Sequence, residues 1–169
     1  MAQLTKNMNY LQPTGFKLLI DRVNYPNLQF FAQSVNHPSV SLPPTEIPSR
    51  KLTRLALPGD KLDYGELTAN ILMDEDMNSY EEIHGWMRRI IDEINRPPSD
   101  FVAREEATLT HSSDITLSIL SSNNNPIKEI RYIDAIPVTI GDFQFESTVA
   151  DVTYITFPVT FAYSYFDIV

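Results

Sequence analysis

Thr153 to Phe166 reads TYITFPVTFAYSYF, and this stretch decides the fold. From Ile155 onward the odd positions are large and apolar: Ile155, Phe157, Val159, Phe161, Tyr163 and Tyr165. The even positions Thr156, Pro158, Thr160, Ala162 and Ser164 are small or polar. A period of two marks a β-strand with one buried and one wetter face. At ~3.3 Å per residue such a strand runs on the order of 40 Å, about twice the usual length. It needs neighbours along that length, and a short chain can find some of them on a second copy of itself. Pro158 has no N–H to give a central ladder, so it is expected at an edge, a bulge or a change of pairing partner.

The 169 residues fit one domain, 1–169, with a real core. A hydrophobic content of 43% is that of a globular chain. No apolar run approaches the ~20 residues of a membrane span, and MAQLTKNMNYLQPTG lacks the blocks of a signal peptide. Membrane insertion is therefore not expected. The absence of cysteine excludes disulfides and thiolate metal sites. The net charge is −9, from 22 acidic and 13 basic residues. That balance argues against a stable grip on nucleic acid, which wants a basic stripe. It allows nucleic acid to pass nearby without sticking.

Phe16, Leu18 and Ile20 alternate with Lys17 and Asp21 as a first strand, and Leu28 to Val35 reads as its hairpin partner across the turn Asn24-Tyr25-Pro26-Asn27. His37 to Asp60 changes character: five prolines and the basic residues Arg50, Lys51 and Arg54 mark an extended arm or hairpin, or else a functional loop, over residues 38–60. Leu67, Ala69, Ile71 and Met73 make another strand. A helix is expected over residues 79–95, opened by a capping box of Ser79 and Glu82 and stopped by Pro97-Pro98. Its apolar stripe is Tyr80, Ile83, Met87, Ile90, Ile91 and Ile94. Ser99 to His111 has no clear pattern. Ile115 to Ile119 and Ile127 to Ile133 flank the turn Asn123-Asn124-Asn125-Pro126. Between Val138 and Glu146 the apolar phase slips at Gly141, as at a bulge or tight bend. The sum is a mainly β chain: an antiparallel sandwich or barrel of seven or eight strands with one flanking helix and a long arm.

No catalytic constellation stands out. His37, His84 and His111 are isolated, with no metal-ligand spacing. Asp74-Glu75-Asp76 lacks the alternating oxygens and glycine of a calcium loop and reads as an acidic turn leading the helix. Trp86 beside the helix stripe reads as a core or interface anchor before a ligand platform. No cofactor, metal or catalytic residue is assigned.

Several segments together resemble one family. Leu42-Pro43, Ile47-Pro48, Arg50-Lys51 and Pro58-Gly59-Asp60 fall in the order of an arm, and Met73-Asp74-Glu75 leads into the helix with its tryptophan. Ile136-Pro137-Val138-Thr139-Ile140-Gly141-Asp142 approaches the last strands, and Val159-Thr160-Phe161-Ala162-Tyr163-Ser164-Tyr165-Phe166 closes the chain. From about Phe16 to Ile168 the chain resembles the tail tube proteins of contractile-tailed bacteriophages. The resemblance implies a structural virion protein, stacked in hexameric rings whose sheets join into one barrel around a lumen. It implies a sheath outside, a baseplate hub or tube initiator at one end, a tape measure protein in the lumen, and DNA as transiting cargo. It implies a place in the virion tail after assembly in the host cytoplasm. Six copies at −9 carry about −54, and with screening over ~8 Å only wall-facing charges matter. Asp21, Glu66 and Glu146, on strands but off the apolar phase, are the expected lumen charges. Arg50, Lys51, Arg54 and Asp60 are the expected contacts between subunits and rings. Alternatives are a tube initiator at the baseplate, a tailocin or injection-system tube, and, from another class, a β-sandwich carbohydrate-binding module using Trp86 and the acidic turn.

Overall fold

The computed structural model describes residues 10–21, 25, 27–28, 32–47, 55–94, 112–147 and 154–169. The described strands are β1 (Phe16–Leu19), β2 (Ala32–Asn36), β3 (Val40–Ser41), β4 (Thr45–Ile47), β5 (Leu55–Leu57), β6 (Asp63–Tyr64), β7 (Leu67–Leu72), β8 (Ser113–Leu120), β9 (Pro126–Ile140), β10 (Thr156–Ala162) and β11 (Tyr165–Ile168). One helix, α1 (Asn78–Ile94), follows β7. All pairings are antiparallel, and the main sheet folds over at β9 into two layers. The first layer is β1-β8-β9-β11 and uses the N-terminal part of β9. The second is β9-β10-β7-β2 and uses its C-terminal part. Leu18, Ile115 and Tyr132 from one layer meet Leu67, Ile71, Phe157 and Phe161 from the other in a single buried core.

The closing stretch is two strands, not one. β10 lies in the second layer and β11 in the first, with a break at Tyr163-Ser164. Phe157, Val159 and Phe161 are buried, as the alternation demands, but beyond the break the inward residue is Phe166 and Tyr165 is exposed. The cause lies on β9, which both strands follow. Ser113 pairs with Ala135 and Ile115 with Tyr132, so β9 carries one extra residue there. Asp134 takes φ 55° at that bulge. A second extra residue, Val138, falls between the pairs Thr160–Thr139 and Phe161–Pro137. Each bulge switches the inward phase, from Ile130 and Tyr132 to Ala135 and Pro137, and then toward Ile140. The slip expected at Gly141 thus occurs at Asp134 and Val138, inside one continuous strand. Gly141 instead ends β9, and Phe143 and Phe145 lie outside any strand.

Pro158 sits in a central strand yet breaks no ladder. Its carbonyl accepts from the Gly141 N–H at 2.7 Å. A strand residue points its N–H and C=O to the same side, so the missing donor faces β9 where pairing with β10 ends, at Val159–Ile140. The β7 side stays paired from Thr156 to Phe161. A Cβ on Gly141 would lie 2.3 Å from the Pro158 Cγ, so this crossing needs glycine.

The expected opening hairpin does not form. β1 pairs with β8, while β2 pairs with β7 in the opposite layer. Tyr25 N–H donates to the Asp21 carbonyl at 2.8 Å, and the buried Tyr25 and Leu28 carry the chain across the core. Ser99 to His111 lies outside the described residues.

The helix starts differently from the expected capping box. Glu82 turns away to accept from the Asn27 side chain at 2.6 Å. Asp74 takes the capping role: its carboxylate accepts from the backbone N–H of Asn78 at 3.0 Å and of Ser79 at 2.9 Å, and from the Ser79 hydroxyl at 2.8 Å. The buried stripe runs through Tyr80, Ile83, Trp86 and Ile90, whereas Ile91 is exposed. Trp86 stacks on Tyr25 at 4.7 Å and meets Phe161 at 6.2 Å, so the tryptophan anchors the helix to the core.

Candidate assembly surfaces

The described residues around 38–60 form a two-step hairpin arm. β3 pairs with β6 at its root, and β4 pairs with β5 farther out. Between them Gly59 passes the Pro43 carbonyl so closely that a Cβ would lie 2.1 Å from its oxygen. The root is fastened by rings. Phe166 of β11 meets His37 at 4.9 Å and Tyr64 at 5.4 Å. His37 Nδ1 and the Tyr132 hydroxyl are hydrogen-bonded at 2.7 Å. Burial lowers the His37 pKa and raises that of Tyr132, with Tyr163 adding to the latter. Burial and then the neighbouring Tyr64 also raise Tyr163, whose hydroxyl is buried without a hydrogen-bond partner among the described residues. The arm is thus joined to β9 and β11 rather than tethered by a loose loop.

Arg50, Lys51 and Arg54 fall between β4 and β5, outside the described residues. Asp60 lies exposed at the bend after β5. The structure does not place Asp21, Glu66 and Glu146 on strands. Asp21 follows β1, Glu66 precedes β7, and Glu146 lies in the segment after β9. Asp21 lines an open cavity of about 440 Å³ with Ser112, Ser113, Asp114 and Asp134. No group of three or more His, Asp or Glu among the described residues is arranged to hold a metal ion.

The register gives the two layers unlike outer faces. Across the first layer one outward row reads Leu19, Thr116, Arg131, Asp167, and the next reads Lys17, Ser118, Glu129, with Ser118 itself buried. Arg131 pairs with Glu129 at 3.2 Å. Across the second layer the outward positions include Ser34, Asn36, Thr68, Asn70, Leu72, Thr156, Pro158, Thr160 and Ala162, all uncharged. Asn70 donates to Ser34 at 2.8 Å. Sequence alternation named charges beside strands. It did not single out Glu129, Arg131 and Asp167, whose outward face follows from the pairing of β9 with β8 and β11.

The described residues thus form a strand-rich sandwich with one packed helix and a hairpin arm whose root is lined with rings. A family model described as phage tail tube protein matches residues 3–169. The chain belongs to the phage tail tube protein family. A search of curated protein sequences finds no match. Among solved structures, this tail tube protein is similar to a chain of the sheath–tube complex of the extracellular contractile injection system PVC, in its extended state. The TM-score is 0.62 at 12% identity, over 95% of this chain and 92% of that one. A chain of the anti-feeding prophage tube-terminating cap superposes with TM-score 0.66 at 12% identity, over 98% and 95% of the two chains. A chain of the anti-feeding prophage baseplate gives 0.56 at 15% identity, over 100% and 97%. At these identities the likeness is one of fold. This tail tube protein is a structural protein and not an enzyme, as its family is.

Proposed function

We propose that this chain is the repeating subunit of a tail tube, stacked in hexameric rings around a lumen that DNA crosses during ejection. The match to the tail tube family over residues 3–169 carries the reading. The sheet edges left unpaired among the described residues support it, because ring closure covers edges that a monomer leaves open. A sheath outside, a baseplate hub below and a tape measure protein in the lumen are the proposed partners. The solved neighbours that come from a sheath–tube complex and a baseplate support the first two.

The arm reaches the next ring, with Arg50, Lys51, Arg54 and Asp60 as its contacts. Wall-facing carboxylates, Asp21, Glu66 and Glu146 among them, keep the lumen negative so that phosphates are repelled. A second role, tube end rather than tube body, is favoured by the likeness to the terminating cap. Negative-stain images of the concentrated pure protein test the reading. Rings or filaments are expected. A monodisperse monomer would count against it.

A further inference from the structure

We infer that His37 is a pH-sensitive latch on the arm: its neutral imidazole fastens the arm root to β9, and protonation loosens that root. The device stands on the single chain, and its effect on ring stacking rests on the tube reading. His37 follows β2 and, with Pro38 and Ser39, forms the leg by which the chain enters the arm. Tyr64 of β6 lies on the returning leg, and the Gly65 N–H closes the two legs on the Ser39 carbonyl at 2.9 Å. Both legs rest on Phe166 of β11, through the rings of His37 and Tyr64. Among the described residues, the polar tie from this root to the first layer is the bond between His37 Nδ1 and the Tyr132 hydroxyl at 2.7 Å.

The chemistry of that bond decides which form of the ring fits. Tyr132 is fully buried, and burial keeps its phenol protonated. A buried hydroxyl proton needs an acceptor. The neutral imidazole supplies one when Nε2 carries the ring proton and Nδ1 is bare. The imidazolium carries N–H groups at both positions and accepts nothing. It then donates to the Tyr132 oxygen and leaves the phenol proton as an unsatisfied buried donor. The surroundings offer the imidazolium no counter-charge. The groups facing His37 from the elements packed against it are Tyr132 of β9 and Phe166 of β11, with Tyr64 and Tyr163 behind them. The titratable ones are phenols, and none is a carboxylate. Arg131, Asp63 and Asp167 alternate with Tyr132, Tyr64 and Phe166, so they turn to the opposite face of their strands. Burial is what lowers the His37 pKa. Part of the residue stays exposed, so a proton reaches it without unfolding the chain. A histidine whose folded pKa is depressed leaves stability intact above its unfolded value of ~6.5 and removes it as pH falls from there through the folded value. The root therefore loosens in the mildly acidic range.

Hydrogen exchange of the whole chain, read by mass spectrometry and corrected for the intrinsic rate at each pH, tests the latch. Between about pH 7.5 and about pH 5 the protection of β3 and β6 is expected to fall, by about tenfold for each unit that the folded pKa lies below the unfolded one, while β7 keeps its protection. His37→Asn keeps an acceptor at the δ position and takes up no proton, so its β3 and β6 should show no such fall. Tyr132→Phe removes the hydroxyl that needs the acceptor, so there the fall should shrink. Protection that stays level in the native chain overturns the latch, and so does an equal fall in the native chain and either variant. Where tubes form, native stacks should shorten on acidification and those of His37→Asn should not. Stacks that ignore the pH while the root loosens overturn the arm's part in stacking. A native chain that never assembles overturns the tube reading and leaves the exchange result to decide the latch.

Discussion

At the residue scale, the interior reads as apolar shape plus a few polar groups with fixed duties. Gly141 is one such position. Gly141→Ala drives a methyl against Pro158 at the end of β9, and a loss of about 1–3 kcal/mol is expected in urea denaturation. Asp74 is another. Burial pushes its carboxyl up, but the Ser79 amide and hydroxyl and the Asn78 amide outweigh that and lower the pKa to about 2. A carboxylate whose folded pKa is depressed adds stability that is present above its unfolded value and lost as pH falls through the folded one. The gap in urea midpoint between the native chain and Asp74→Asn should therefore be full at neutral pH and shrink between about pH 4 and pH 2. Tyr163 runs the other way, because its buried hydroxyl lacks a partner among the described residues. Tyr163→Phe should be neutral or stabilising by up to ~1 kcal/mol, since removing an unsatisfied polar group removes a desolvation cost. A clear loss of stability would show that this hydroxyl is satisfied.

At the element scale, what could be read from the sequence was whatever two- or four-residue spacing records. Leu67 to Met73, Ile115 to Ile119 and the helix with Trp86 all appear where their apolar spacing puts them. The strand pairing of the first layer did not, because hairpin logic joins neighbours in sequence and Tyr25 and Leu28 instead carry the chain across the core. β9 hid its two bulges for a related reason. Ile133, Ile136 and Val138 are as apolar as their buried neighbours, so the phase switches leave no polar mark. The capping box was read from a correct local motif, but tertiary contact decided otherwise: Asn27 claims Glu82 and Asp74 caps the helix.

The arm expected from the prolines of residues 38–60 has, among the described residues, a root that the sequence does not mark. Phe166 touches both His37 and Tyr64 there. Phe166→Ala should raise amide exchange in β3 and β6 while leaving β7 protected. Equal loosening of both would contradict a discrete joint at the arm root.

At the scale of the whole molecule, the two outer faces differ in charge while the core between them is shared. The first layer presents Lys17, Glu129, Arg131 and Asp167, and the second presents uncharged positions, hydroxyls and amides mixed with apolar residues such as Pro158 and Ala162. Such asymmetry suits a subunit whose two sides meet different surroundings. The arm adds a third surface. Changing Arg50, Lys51 and Arg54 together to alanine should leave the monomer folded and shorten or abolish stacks of rings. Native stacks should also weaken in high salt, since exposed charges are screened within ~8 Å at physiological ionic strength. Stacks of normal length from the triple variant would remove the cations from the contact.

Family membership gives the chain its place among tail tube proteins, and its stacking in rings is the proposed step. Cryo-electron microscopy of the purified chain tests it most directly. The expected map shows six-fold rings stacked into a tube around an open lumen. A chain that stays monomeric at every concentration, or that assembles without forming rings, would contradict it.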